Sequence, residues 1–249
     1  MNPPGVFPRR ALLRQAGTGL ASAILPCTIV DEERGLDTAE ALLCEGYGLL
    51  VIMNHFSLRD APQALVLLCR SRVMRQREIV APVALHQYRR HMTPVRLCAA
   101  LFDIRLSPVV TPRTDPHLYN AAALRHTLKS YIAGATSVLQ SGGIVLLAPQ
   151  AGRESQLGAP AGHPVAQLLR RLPASEVPKV ALMFVGFGIS GEDDYSLQNA
   201  GGVNLGRHYQ ASVGATVTVQ QALQEAGGLR RVDEWAFSRL RPLVPRYLR

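Results

Sequence analysis

Between residues 49 and 188, short apolar runs alternate with stretches of helical periodicity, and this alternation limits the possible fold more than any other feature of the chain. Leu49–Met53 and Ile144–Ala148 contain no polar side chain, and Pro178–Phe187 contains only Lys179. A strand that is apolar on both sides must be covered on both faces. Two shorter segments, Glu78–Leu85 and Leu106–Val110, also read as strands. Helical patterns fall between them, at residues 61–74, 94–102, 118–140 and 165–172. The expected class is therefore α/β, with a mostly parallel central sheet flanked by helices. In such sheets ligands gather at the carboxyl ends of the strands.

Three strands end in polar, partly basic segments: Asn54-His55, Thr111-Pro112-Arg113, and Pro149 through Gln150, Ala151, Gly152 and Arg153. If these ends are neighbours, an imidazole and two guanidinium groups face one crevice. Asp60 follows His55 after four intervening residues, at the start of the next helical pattern, where the helix dipole favours a carboxylate. A turn of that length can bring the carboxylate back to the imidazole. A histidine oriented by an aspartate is a general base able to take a proton from a hydroxyl. Arg113 and Arg153 are candidates for phosphate, whose oxygens a guanidinium fork matches in pairs. Asn54 and Ser57 either shape the turn or contact substrate.

Charge narrows the class of partner. The chain of 249 residues carries 27 Lys+Arg against 18 Asp+Glu, a net charge of +9, and nearly all the cations are arginine. This favours anionic partners such as phosphate-bearing ligands or an anionic membrane surface. Nucleic acid is not expected: aromatic residues make up 6% of the chain, the arginines are scattered, and no nucleic-acid-binding motif is present. The four cysteines form no CxxC pair. Cys44, Cys69 and Cys98 lie in apolar contexts and read as buried free thiols, which points to a reducing compartment. No cluster has metal-ligand spacing, so no metal is expected. His86 and His91 flank Arg89-Arg90 in a polar loop, and the remaining histidines read as structural.

Residues 1–30 read as an N-terminal extension and 31–249 as a single domain. Arg9-Arg10 ahead of an apolar stretch has some features of a twin-arginine leader, but Pro26-Cys27 makes a poor lipobox. The stretch from Ala11 to Pro26 is shorter than the ~20 apolar residues that cross a bilayer. The expectation is a short amphipathic helix, docked on the body or lying in a membrane interface behind Arg9, Arg10 and Arg14. Further along, Thr28–Val30 reads as a strand, Asp37 as a helix cap, Gly142-Gly143 as the stop of the long helix, Gln210–Val219 as a late strand, and Trp235–Leu248 as a closing helix.

Taken in order, these segments resemble the glycerolipid acyltransferases, the lysophosphatidic acid and glycerol-3-phosphate acyltransferase family. Asn54-His55-Phe56-Ser57-Leu58-Arg59-Asp60 matches the family's N-H-x4-D block. Val109-Val110-Thr111-Pro112-Arg113 matches a strand ending in arginine. Ala148-Pro149-Gln150-Ala151-Gly152-Arg153-Glu154 matches F-P-E-G-T-R-S, with Gln150 in place of the family's glutamate and Ala151 in place of its glycine. Val177-Pro178-Lys179-Val180-Ala181-Leu182 matches an apolar strand opening with V-P. The resemblance spans roughly residues 45–220. It implies an acyltransferase with His55 and Asp60 catalytic, and with Asn54, Ser57, Arg113, Gln150, Gly152 and Arg153 around the substrate. It further implies acyl-CoA or acyl-carrier protein as co-substrate with no other cofactor, a lysophospholipid or glycerol phosphate-type acceptor, and peripheral attachment to the cytoplasmic face of a membrane. The alternatives are a non-catalytic lipid-binding adaptor of the same fold and an acyl-CoA hydrolase. A nucleophile-elbow esterase is disfavoured, because the chain has no G-x-S-x-G.

Overall fold

The computed structural model describes residues 8–89, 93–110, 117, 119–150, 157–158, 162–172, 179–189 and 208–249. Its strands are β1 (Cys27–Val30), β2 (Gly48–Met53), β3 (Ile79–Ala84), β4 (Arg105–Val109), β5 (Ile144–Leu147), β6 (Val180–Ile189), β7 (Tyr209–Val213) and β8 (Val217–Thr218). Its helices are α1 (Pro8–Ile24), α2 (Gly35–Cys44), α3 (Asp60–Arg70), α4 (Arg72–Gln76), α5 (Leu85–Arg89), α6 (Pro94–Leu101), α7 (Ala121–Gln140), α8 (Pro164–Leu169), α9 (Val219–Ala226) and α10 (Val232–Leu240). Short 3₁₀ turns follow at Arg241–Leu243 and Arg246–Leu248.

One sheet takes in all eight strands, in the order β1-β7-β6-β2-β5-β3-β4, with β8 on β6. Strands β6, β2, β5, β3 and β4 run parallel. β7 and β8 run antiparallel to β6, and β1 runs parallel to β7. The mostly parallel α/β sheet expected from the apolar runs is thus present. Its middle strands β2, β5 and β6 are buried at every position, because helices cover both faces.

The long helix α7 shows how tightly those helices are set. Asn120 caps its start by accepting from the Ala123 N–H. At its end Gly142 adopts φ +74°, while the Gly142 and Gly143 N–H groups donate to Leu139 and Val138. That is the glycine stop read in the sequence. The helix then lies so close to β2 that a Cβ on Gly48 would sit 2.1 Å from the Leu139 carbonyl oxygen.

Several boundaries differ from the expectations, each for a local reason. The helix expected over 61–74 breaks at Ser71, which is extended (φ −70°, ψ 133°) and caps α4 by accepting from the Met74 N–H. The start of α2 is capped by Asp31, whose carboxylate accepts from the Gly35 and Leu36 N–H groups; Asp37 pairs instead with Arg34. The strand expected over 210–219 stops at Val213. Thr218 and Gln221 form a capping box there and start α9. Pro242 and Pro245 end the closing helix early, since proline lacks the N–H a helix needs. His86 belongs to α5 and not to a loop. Cys69 is buried and Cys98 partly so, but Cys44 lies exposed at the end of α2.

Helix α1 packs against α3, α4 and α6 in an unusual orientation. Arg14 is completely buried. Its Nε donates to the Phe102 carbonyl at 2.7 Å, its Nη2 to that of Asp103 at 2.9 Å, and its Nη1 to those of Arg75 and Arg77. These carbonyls lie at the carboxyl ends of α4 and α6, where unpaired oxygens and the negative end of the helix dipole gather. Burial pushes the guanidinium down to about 10, which leaves it charged at neutral pH. Arg10 adds an ion pair to Asp103 at 2.8 Å. Of the two settings expected for this helix, docked on the body or lying in a membrane interface, Arg10 and Arg14 serve the docked one; the Arg9 side chain lies outside the described residues.

Candidate functional site

β2 leaves the core at Met53, and the next six residues turn straight into α3. Asn54 is buried at the turn. Its amide nitrogen donates to the Phe187 carbonyl at 2.9 Å, and its carbonyl oxygen accepts from the Phe187 N–H at 2.6 Å. The β2–β6 pairing ends at Met53 and Val185, so the Asn54 side chain extends the ladder beyond the backbone's own reach. Of the two roles open to Asn54, this geometry serves the shaping of the turn. Asn54→Ala should lower unfolding free energy by about 2–4 kcal/mol, because both polar groups of Phe187 lose their partner in a buried place. Urea denaturation measures this, and an unchanged midpoint would show that Phe187 finds other partners.

The turn itself is organised by one carboxylate oxygen. Asp60 is fully buried, and its Oδ2 accepts from the Phe56 N–H at 2.7 Å, from the Ser57 N–H at 2.8 Å and from His55 Nδ1 at 3.0 Å. Ser57, also buried, accepts from the Arg59 N–H through its hydroxyl at 3.1 Å. The carboxylate of the first helical residue thus reaches back across the turn, as the His-x4-Asp spacing predicts. With Asp60 as acceptor, Nδ1 carries the ring proton and Nε2 carries the lone pair. The His55 side chain is 26% exposed, and Nε2 has no partner among the described residues. The outcome is an oriented, solvent-reachable base backed by a buried anion.

Gln150, which follows β5, sits beside this base. It is buried, and its Oε1 lies 3.4 Å from the His55 backbone N–H, a long hydrogen bond. β5 is the immediate neighbour of β2, so the first and third polar strand ends adjoin. β4, which leads toward Arg113, is the edge strand with β5 and β3 between it and β2. Three strand spacings put the two axes about 14 Å apart. Arg113, Gly152 and Arg153 lie outside the described residues, as do Ala151 and His91.

Arg59 and Gln63 form part of the site's support that the sequence did not reveal. The Arg59 guanidinium is buried 4.0 Å above the Tyr209 ring, whose ring also stacks on Phe56. Arg59 Nη2 donates to the Pro26 carbonyl at 3.1 Å, and Gln63 Nε2 to that of Leu25 at 2.8 Å. Burial pushes the Arg59 guanidinium below its ordinary value. An arginine inside a polar turn reads as a solvated charge, and its aromatic partner lies far along the chain; only the buried helix following it hinted otherwise. Among the other histidines, His208 bonds Thr28 at 2.6 Å, and His163 lies 3.8 Å from Asp233, which caps α8. No group of three or more potential metal ligands occurs among the described residues. No helix among them is long and apolar enough to cross a membrane.

No family model matches the chain, and no curated protein matches it. Among solved structures it is similar to the 1-acyl-sn-glycerophosphate (LPA) acyltransferase PlsC from Thermotoga maritima. Identity is 12%, over 94% of this chain and 79% of that one, with a TM-score of 0.49. It is also similar to the Legionella pneumophila ATPase DotB, at 11% identity over 87% of this chain and 59% of that one, with a TM-score of 0.32. Neither likeness is close enough to argue from, and the fold class rests on the sheet itself.

Proposed function

We propose that the protein transfers a fatty acyl group from acyl-CoA or acyl-carrier protein to a hydroxyl of a glycerolipid-type, phosphate-bearing acceptor at the cytoplasmic face of a membrane. The observation that carries this reading is the 3.0 Å contact between His55 Nδ1 and the buried Asp60 carboxylate, at the carboxyl end of a central parallel strand. The ordered sequence blocks around it supply the substrate class.

In this reaction His55 Nε2 takes the proton of the acceptor hydroxyl as its oxygen attacks the thioester carbon. The tetrahedral oxyanion collapses and breaks the carbon–sulfur bond. The imidazolium then returns its proton to the departing thiolate. Asp60 fixes the tautomer and stabilises the imidazolium without taking the proton itself. No covalent enzyme intermediate and no redox step are needed. Backbone N–H groups are the natural donors to the oxyanion. The Asn54 amide is engaged with Phe187, and Gln150 stands where it can help hold the turn.

Arg113 and Arg153 are assigned to the acceptor's phosphate, and Gly152 to the surroundings of the substrate. Arg153→Ala should raise the acceptor's KM by roughly tenfold or more, about the value of one charge-assisted contact, and leave that of the donor nearly unchanged. Steady-state kinetics with each substrate varied in turn separates the two, and equal effects on both would remove Arg153 from the clamp.

The deciding experiment is release of CoA thiol from a long-chain acyl-CoA by the purified protein. The acceptors are lysophosphatidic acid, glycerol 3-phosphate and none. Acceptor-dependent release identifies transfer and the acceptor class. Release without an acceptor identifies hydrolysis. No release with either acyl-CoA or acyl-carrier protein as donor would rule transfer out.

A further inference from the structure

We propose that the cleft between α8 and the turn joining α9 to α10 binds a small phosphate-bearing anion, in a site that shares no residue with the His55–Asp60 turn. The cleft holds about 290 Å³, with His163, Ala166 and Arg170 on one wall and Leu229 and Arg230 on the other. That is close to the lower limit of about 300 Å³ for small-ligand sites.

Both walls are set by local rules. His163 precedes α8, and Ala166 and Arg170 follow at spacings of three and four, which is one face of a helix. Opposite, α9 ends on Gly227 and Gly228, at φ +71° and +115°, a left-handed turn that glycine takes without strain. The turn brings Leu229 and Arg230 against α8. Asp233 locks the walls together. From the first turn of α10 its buried carboxylate accepts from the Val165 N–H at 2.8 Å and from the Ala166 N–H at 3.1 Å. The cleft is therefore shaped before any ligand enters.

Charge selects the ligand. None of the lining residues is acidic. Arg170 and Arg230 are exposed, and neither guanidinium makes an ion pair or a hydrogen bond among the described residues. Asp233 is one acid against two guanidinium groups, and its oxygens are already engaged with α8. His163 Nδ1 stands 3.8 Å from Asp233 Oδ2, beyond hydrogen-bond length, so the ring keeps its donor capacity. Cations gathered over one concavity repel each other and concentrate anions. Guanidinium forks match the oxygens of a phosphate in pairs, and a phosphate's double charge balances two arginines where a single carboxylate does not. Ala166 and Leu229 add an apolar floor for a small organic group. None of these side chains serves the acyl-transfer reading, so the inference stands or falls without it.

The test is nuclear magnetic resonance of the full-length protein carrying isotope-labelled histidine, with the His163 ring signal assigned through His163→Gln. Phenyl phosphate, inorganic phosphate and benzoate are titrated at constant pH. The His163 signal should move and saturate with phenyl phosphate and stay in place with benzoate. Earlier saturation by phenyl phosphate than by inorganic phosphate assigns the cleft to a phosphate monoester, and equal saturation assigns it to free phosphate; both support the site. Arg170→Gln/Arg230→Gln should weaken the phenyl phosphate response by more than about tenfold, since each charge-assisted contact is worth roughly that factor. Both positions are exposed, and circular dichroism of this variant should match the wild type. Arg34→Gln/Arg72→Gln removes the same charge from exposed positions outside the cleft and should bind as the wild type does. An unmoved His163 signal in the wild type overturns the proposal. So does a benzoate response equal to that of phenyl phosphate, a full response in Arg170→Gln/Arg230→Gln, or equal weakening in the two double variants.

Discussion

His55→Ala should lower the acceptor-dependent turnover by about 10²–10⁴-fold, equivalent to about 3–5 kcal/mol of barrier, with little change in thermal stability. The size follows from what the side chain does in the turn. Nε2 is the only ring nitrogen left for a substrate, because Nδ1 is committed to Asp60. The stability half of the expectation follows from what His55 does not do. Asp60 keeps its two backbone donors, Phe56 and Ser57, when the imidazole is gone. The Asn54 clip on Phe187 is also untouched. The fold of the turn therefore survives the loss of its base. Rates from CoA release and a melting curve of the same preparation read the two halves. Full turnover by the variant would remove His55 as the base, and a large fall in melting temperature would make its role structural.

Arg14→Met should destabilise the fold by about 3–5 kcal/mol, the largest stability effect expected from a single side chain here. Methionine matches the length of the aliphatic stem but donates nothing. Four carbonyl oxygens, those of Arg75, Arg77, Phe102 and Asp103, would then be buried without the guanidinium that now joins them. Each unsatisfied group costs about 1–3 kcal/mol, offset in part by the relief of no longer burying a cation. For a chain of this size the melting temperature should fall by roughly 10 °C. Arg10 is the internal contrast: its ion pair with Asp103 is partly exposed and worth about 1 kcal/mol or less. An Arg14→Met protein that melts with the wild type would mean that water reaches these carbonyls.

The central part of this fold could be read from the chain because it is buried on both faces. Leu49–Met53, Ile144–Leu147 and Val180–Ile189 had no surface on which to place polar residues, so their runs were unbroken. The end of α7 was legible for a different reason: a left-handed turn favours glycine, and Gly142 marks it. The His55–Asp60 contact was legible because it closes within six residues. What stayed hidden depends on distant partners. Arg14 reads as a cationic flank until the carbonyls of α4 and α6 are placed around it. Arg59 reads as a surface charge until Tyr209 stacks on it. The start of α9 was masked by a weak alternation of alanine and valine from Ala211 to Val219, which imitates a strand; Thr218 and Gln221 already held the helix-start pattern.

The links from Arg59 to the Pro26 carbonyl and from Gln63 to the Leu25 carbonyl bear on how far the protein can be shortened. The obvious place to trim a greasy leading helix is just ahead of the first strand, at Cys27. That cut would remove the Pro26 and Leu25 carbonyls from Arg59 and Gln63, at the start of the helix that carries Asp60, and would loosen Arg59 one residue from the Asp60 carboxylate. The leading segment is thus part of the foundation of the His55–Asp60 turn. A trimmed protein would lose these two supports with His55 and Asp60 both still in the chain.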